Sequence, residues 1–285
     1  MKPVKPNIGG QAVIEGVMMR GPKMTAIAIR KNEEIIMKTE PNHSLSDKYK
    51  FLKLPILRGI LSLFEMLIIG IQTLSYSASV AGEGEEEELT SRDIAFALIS
   101  AVGFAVALFI VLPTIAVRFI SSSISNPLLL NFVEGLLRIS IFIIYVIVIS
   151  LMKDIRRVFE YHGAEHKAVH CFEHDEKLTP ENAAKYTTIH PRCGTSFMML
   201  VMFISIIIFS MMGWPGLIQR IVSRIIMLPL VSGISYEIIR IAGKSKSPIV
   251  RMLNIPGMWL QKLTTREPDG EQLEVAIAAL KSVLN

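Results

Sequence analysis

A mainly α-helical integral membrane protein is the fold class the sequence predicts, on three observations. Of the 285 residues, 51% are hydrophobic and only 19% charged, a balance unlike that of an ordinary soluble domain. Several apolar stretches reach the roughly 20 residues that a helix needs to cross a bilayer core. Lys and Arg crowd the segments between those stretches, the bias expected of cytoplasmic loops.

Taken in order, residues 1–50 predict a small β-rich cytoplasmic unit. Glycines at Gly9, Gly10, Gly16 and Gly21 punctuate it, and two apolar runs, Thr25 to Ile29 and Ile35 to Thr39, flank a turn at Lys31 to Glu34. A two-stranded piece is marginal alone, so it must add strands or lie on another segment. The glycines lack phosphate-loop spacing. The polar opening MKPVKPNIGG is no secretory signal, which places the amino end in the cytoplasm.

Residues 51–81 predict a re-entrant or interfacial helix, because a full span at Ile56 to Val80 would export the basic, histidine-rich segment. Arg58, Glu65 and Gln72 fall seven apart on it, a polar stripe that suits either an in-plane position or packing against other helices. Residues 82–93, with the run GEGEEEE, predict an acidic linker. Uncharged Ile94 to Val117 and mostly apolar Leu128 to Met152 form a first transmembrane hairpin, 94–152. Residues 153–196 are a cytoplasmic histidine-rich segment, helical over Lys153 to Val169, with Thr179, Pro180 and Glu181 opening a second short helix. Phe197 to Met212 and Leu217 to Ala242 form the second hairpin, 197–243, the latter interrupted by Arg220, Arg224, Pro229 and Glu237. Residues 244–285 are a cytoplasmic tail ending in an amphipathic helix, with Leu273, Ile277, Leu280 and Leu284 on one face. About four spans then leave both termini inside. The lipid bilayer is the expected partner. The net charge of +5 flanks membrane ends, and no aromatic-basic pattern points to nucleic acid.

Five of the six histidines lie within 29 residues: His162, His166, His170 and His174 at four-residue steps, then His190 near Cys193. Residues four apart share a helix face, where two imidazoles can grip one divalent ion. Each step drifts about 40°, so one ion cannot take all four. HGAEH, from His162 to His166, matches H-x-x-E-H, in which both histidines bind zinc and Glu165 activates water. A further ligand is expected from the His190/Cys193 turn or from Glu237, the latter being equally an acid paired with Arg240 or Arg138; His170 is an additional candidate, and His174 is equally a solvated residue past the helix end. In a cytoplasmic setting Cys171 and Cys193 are free thiols or metal thiolates. A divalent metal, zinc preferred, is the expected cofactor, though iron, manganese and nickel suit the same ligands.

Longer motifs carry a resemblance. GGQAVIEGVMMRGP from Gly9, EYHGAEHKA from Glu160, HPRCGTSF from His190, and REPD from Arg266 with EVAIAALK near the end resemble the bacterial YqhQ-like family, along nearly the whole chain. The resemblance implies an uncharacterised membrane protein with metal-dependent chemistry. It marks Gln11, Glu15 and Arg20; His162, Glu165 and His166; and His190, Arg192 and Cys193. Gln11, Glu15, Arg20 and Arg192 are then expected to orient a substrate or an imidazole, Glu15 being equally suited to a salt bridge. The function expected is a cytoplasm-facing, metal-dependent membrane hydrolase acting on a membrane-borne or cytoplasmic substrate. Two rivals stand beside it: a scaffold with a closed site from His162, His166, His190 and Cys193, and a transporter using Glu134, Arg138 and Glu237. Bis-histidine haem is weaker, since the histidines lie outside the apolar spans.

Overall fold

The computed structural model describes residues 6, 8–82, 91–119, 121, 124–242 and 248–284. Most of the linker expected at 82–93 therefore lies outside the described residues.

The amino-terminal unit is a four-stranded antiparallel meander of β1 (Gly9–Val13), β2 (Gly16–Arg20), β3 (Met24–Lys31) and β4 (Glu34–Pro41). The two apolar runs fall in β3 and β4, and the glycine-rich opening supplies two more strands. Alternation sends side chains to opposite faces, and here both faces are covered. Val17, Met19, Ala26 and Ala28 join one core with Tyr161, Leu273 and Leu280. Val13, Met18, Ile27 and Ile29 face Ile69, Tyr76 and Val80. Fully burying each of the larger ones stabilises the unit by roughly 1.5–3 kcal/mol.

After a short α1 (Leu45–Lys48), α2 runs unbroken over Leu57–Ala81. Of the re-entrant and interfacial readings of 51–81, the unbroken helix suits the interfacial one, because nothing in this run interrupts the i→i+4 ladder. The start of α2 packs on α9 (Leu217–Ala242), where Gly59 meets Gly233 and Tyr236. Its later turns, from Ile69 to Ala81, pack on the sheet. Ile56, just before it, has φ 68°, a conformation a β-branched residue rarely adopts.

Helices α3 (Ser91–Val106) and α4 (Leu112–Arg118) join through a π-helical turn, Ala107–Val111, and α5 spans Pro127–Ser150. Asn126 caps α5 with Pro127 at its first position, the arrangement that satisfies orphan amides at a helix start. Two residues, Leu151 and Met152, separate α5 from α6 (Lys153–Glu173), which is longer than expected; α7 (Pro180–Ala184) is capped by Thr179 as read from sequence. Then follow α8 (Gly194–Met211), α9, α10 (Pro248–Thr264) and α11 (Gly270–Leu284). Helix α10 went unread because Pro248 and Pro256 look like breaks; Pro248 is the first residue of the helix, where its missing N–H costs nothing.

Among the described residues five helices are long and apolar enough to cross a membrane: Leu57–Ala81, Ala95–Arg118, Pro127–Ser150, Gly194–Met211 and Leu217–Ile241. The chain is a multi-pass membrane protein. Helices α6 and α11 and the sheet pack together beside the bundle, with α10 against α8 and α5.

Candidate metal centre

Helix α6 carries the centre, and its placement rests on two glycines. A Cβ at Gly163 would collide with the carbonyl of Arg266, whose own N–H bonds Phe159 O at 2.9 Å. The chain after α10 therefore lies directly on α6. On the other side, a Cβ at Gly10 of β1 would stand 2.8 Å from the carboxyl carbon of Glu165. Only glycine lets the strand approach so closely.

Those contacts orient the imidazoles. His162 Nδ1 bonds Thr264 O at 2.8 Å, and His166 Nδ1 bonds Thr188 O. A carbonyl only accepts, so each ring carries its proton on Nδ1 and presents the Nε2 lone pair outward, the arrangement typical of metal-binding histidines. Nε2 of His162 lies 3.2 Å from Cys193 Sγ, and with His166 Nε2 these atoms all fall within 4.8 Å of one another. Two ligands of a tetrahedral zinc, with bonds of about 2.1 Å to nitrogen and 2.3 Å to sulfur, stand about 3.6 Å apart. Among the described residues His166 Nε2 is buried with only the nearby Cys193 thiol to approach it, which is costly unless something occupies its lone pair. The residues therefore fit an ion. Burial lowers the His166 pKa, keeping the ring neutral.

Glu165, between the two histidines, is 6% exposed. Burial raises its pKa above the usual carboxylate range, opposed by His162, His190 and a hydrogen bond from the Gly10 backbone.

The expected fourth ligand belongs elsewhere. His190 forms a second group with His170 and Glu173, also within 4.8 Å of one another. Gln261 of α10 fixes it there: His190 N donates to Gln261 Oε1 at 2.7 Å and Gln261 Nε2 donates to His190 O at 2.9 Å. His190 Nδ1 accepts from Arg192 N at 3.3 Å, and its Nε2 faces Glu173 Oε1 at 3.3 Å. Glu173 also pairs with Arg192, so Arg192 sits at this second group. The His166 and His190 rings are 5.6 Å apart, which makes the two groups neighbours. His174 is exposed, bonded to the carbonyl of His170.

Four other expected residues lie outside the centre. Glu237 pairs with Arg58 of α2, which fills its need for a counter-charge. Glu15 pairs with Arg157 and accepts from Tyr161 at 3.2 Å; the salt bridge joins the β1–β2 turn to α6 rather than staying within the sheet. Gln11 and Arg20 point to the opposite face of the sheet, Gln11 against Gly70 and Arg20 to Met66 Sδ at 3.4 Å. Alternation decides this: Gly10 faces α6, so Gln11 cannot. Thr188, Thr264, Gln261 and Gly10 were missed, because backbone carbonyls and a glycine carry no chemical signature in sequence.

Residues 54–285 match the family model described as "Protein of unknown function (DUF1385)". The chain belongs to the DUF1385 family. The matched region includes every ligand of both groups and leaves out the sheet. Over its whole length this DUF1385 protein is similar to "Uncharacterized protein YqhQ" of Bacillus subtilis (strain 168), 32% identical over 298 residues, 99% of this chain and 93% of the relative. No solved structure matches.

Proposed function

We propose that this protein is a cytoplasm-facing, metal-dependent membrane hydrolase, in which His162, His166 and Cys193 hold a zinc-like ion. The observation that carries the proposal is the convergence of two oriented Nε2 atoms and one thiol beside a buried carboxyl. Three protein ligands leave the fourth position of a tetrahedral ion for water, the pattern of catalytic rather than structural zinc. When bound, the ion lowers the pKa of that water and polarises the scissile carbonyl. Glu165 takes the proton of the attacking water and returns it to the leaving group. Gly10 holds Glu165 by its backbone amide, and the carbonyls of Thr264 and Thr188 keep both imidazoles aimed. A membrane-borne peptide or ester suits a centre attached to the bundle through α5, α8 and α10.

Orientation follows from charge and packing. Basic residues of the sheet, α6 and the carboxyl-terminal helices support a cytoplasmic centre. From Ile69 onward α2 packs on an open-edged sheet, and such a sheet is not tolerated in hydrocarbon. Only the turns before Ile69 are then free to enter the bilayer, too few to span it. Four helices cross and α2 lies at the interface.

The test is a panel of peptide, ester and lipid-ester substrates offered to the zinc-loaded protein in vesicles. Turnover by the wild type, lost in Glu165→Gln while the ion is retained, is the expected result. A fully loaded wild type inert across all three classes would count against hydrolysis and favour a structural ion.

A further inference from the structure

At the far end of the bundle the structure holds a second polar centre, unconnected with the metal ligands. Glu134 of α5 is 1% exposed, with Arg138 of α5 and Arg220 and Arg224 of α9 also buried. Oε1 of Glu134 accepts from Thr114 at 2.9 Å and Arg138 at 3.1 Å and pairs with Arg224. Arg224 also donates to Thr114 Oγ1 at 2.6 Å and Asn131 Oδ1 at 3.1 Å. Arg138 donates to Ser205 Oγ at 3.3 Å and to Phe109 O at 2.8 Å. That carbonyl lies in the π-helical turn, where the widened ladder leaves a carbonyl for side chains, a device common at functional sites.

The charges do not balance. Three guanidiniums, which stay protonated in proteins, face one carboxylate, so the cluster is +2 (3 − 1). Arg220 is the unsatisfied member. It is 4% exposed; among the described residues its Nε and Nη1 are buried without partners, and its only ring contact is Trp214, 3.8 Å from guanidinium carbon to ring centroid. Arg224 and Glu134 lie within its electrostatic reach, as does the exposed Arg118 at the end of α4. Leaving donors of a buried cation unpaired in an apolar bundle destabilises the fold unless an acceptor reaches them. Oε2 of Glu134 is likewise buried and, among the described residues, unpartnered, an acceptor for a hydroxyl or water. From Glu134 to Ser150, where α5 turns toward the metal centre, the helix covers about 24 Å at about 1.5 Å per residue.

We propose that Arg220, supported by the Arg138–Glu134–Arg224 network, binds a phosphate oxyanion in the bundle half opposite the metal centre. The fork of Arg220 matches two phosphate oxygens, and Trp214 closes one face of the guanidinium. The phosphate comes either from an anionic lipid headgroup or from free solution.

Delipidated protein in neutral detergent separates these sources. Inorganic phosphate is titrated by calorimetry; phosphatidylglycerol and zwitterionic phosphatidylcholine are titrated with native mass spectrometry as the readout. Saturable binding of phosphatidylglycerol but not phosphatidylcholine assigns the lipid source, and saturable binding of inorganic phosphate assigns free oxyanion. In either case Arg220→Gln weakens binding by roughly tenfold or more, the effect of losing a bidentate charge-assisted pair. Arg220→Lys, which keeps charge but loses the fork, falls between, and is the deciding variant if Arg220→Gln does not fold. Arg118→Gln, which removes a more distant exposed charge, weakens binding less than Arg220→Gln. Absence of binding by the wild type to either phosphate source, or equal binding by the wild type and both Arg220 variants, would overturn the proposal.

Discussion

At the scale of single residues, the candidate centre joins one costly group to two well-held ones. The raised pKa of Glu165, caused first by burial, has a definite sign. A carboxyl whose folded pKa exceeds its unfolded value of 4.5 costs the folded state stability as pH rises above 4.5 and it is forced to ionise. Glu165→Gln keeps the acceptor for the Gly10 amide and removes the charge. It is therefore expected to raise Tm at neutral pH by about 2–4 °C, the shift that about 1 kcal/mol gives in a chain of this size, with the gain shrinking toward pH 4.5. Differential scanning fluorimetry across pH checks this, and a stability loss at neutral pH would contradict the buried-acid account. The histidines act in the other direction: burial lowers the pKa of His166, His170 and His190, so folding favours neutral rings and their contribution is lost as pH falls through 6.5. Gly163 has the opposite character to Glu165, being required by shape alone. Gly163→Ala puts a methyl into the Arg266 carbonyl, and the expected cost of about 1–3 kcal/mol lowers Tm. It also weakens metal retention, because Thr264, which orients His162, lies two residues before Arg266; unchanged melting and metal content would contradict this.

At the scale of elements, what was legible followed from periodicity and what was not followed from distant contacts. Four-residue histidine steps made one helix face of His162 and His166 legible, and both lie on α6; the 40° drift showed only that one ion could not take all four histidines, and His170 stayed a candidate ligand. Nothing local could assign His190, which is held with His170 and Glu173 by a glutamine 71 residues away. Glu237 is the paired acid that was one of its two readings, but its partner is Arg58, 179 residues distant, rather than Arg240 or Arg138. The sheet shows another limit. Two of its strands were legible as apolar runs, while β1 and β2 were hidden because their glycines, read as punctuation, are what lets Glu165 of α6 approach β1 and β3 approach β2. Helix α2 is the ambiguous element, since its composition is that of a span while its second half is partnered by the sheet.

At the scale of the whole molecule, five long apolar helices carry a compact unit made of the sheet, α6, α7 and α11, with α10 tying that unit to the bundle. The two polar centres occupy opposite ends of α5: donors oriented for a cation beside α6, and an excess of guanidinium around Arg220. The transporter rival read from sequence joined Glu134 and Arg138 with Glu237; in the structure Arg224 and Thr114 contact one oxygen of Glu134, and Arg220 is left unmatched among the described residues. The central claim is that one thiolate and two imidazoles share an ion. X-ray absorption at the zinc edge, on tag-free protein loaded with one equivalent of zinc, tests it most directly. The account predicts one sulfur near 2.3 Å and nitrogen or oxygen ligands near 2.0–2.1 Å, with the sulfur shell lost in Cys193→Ser and stoichiometric zinc lost in His162→Ala/His166→Ala. A shell without sulfur in the wild type, or zinc held equally by the double variant, would contradict it.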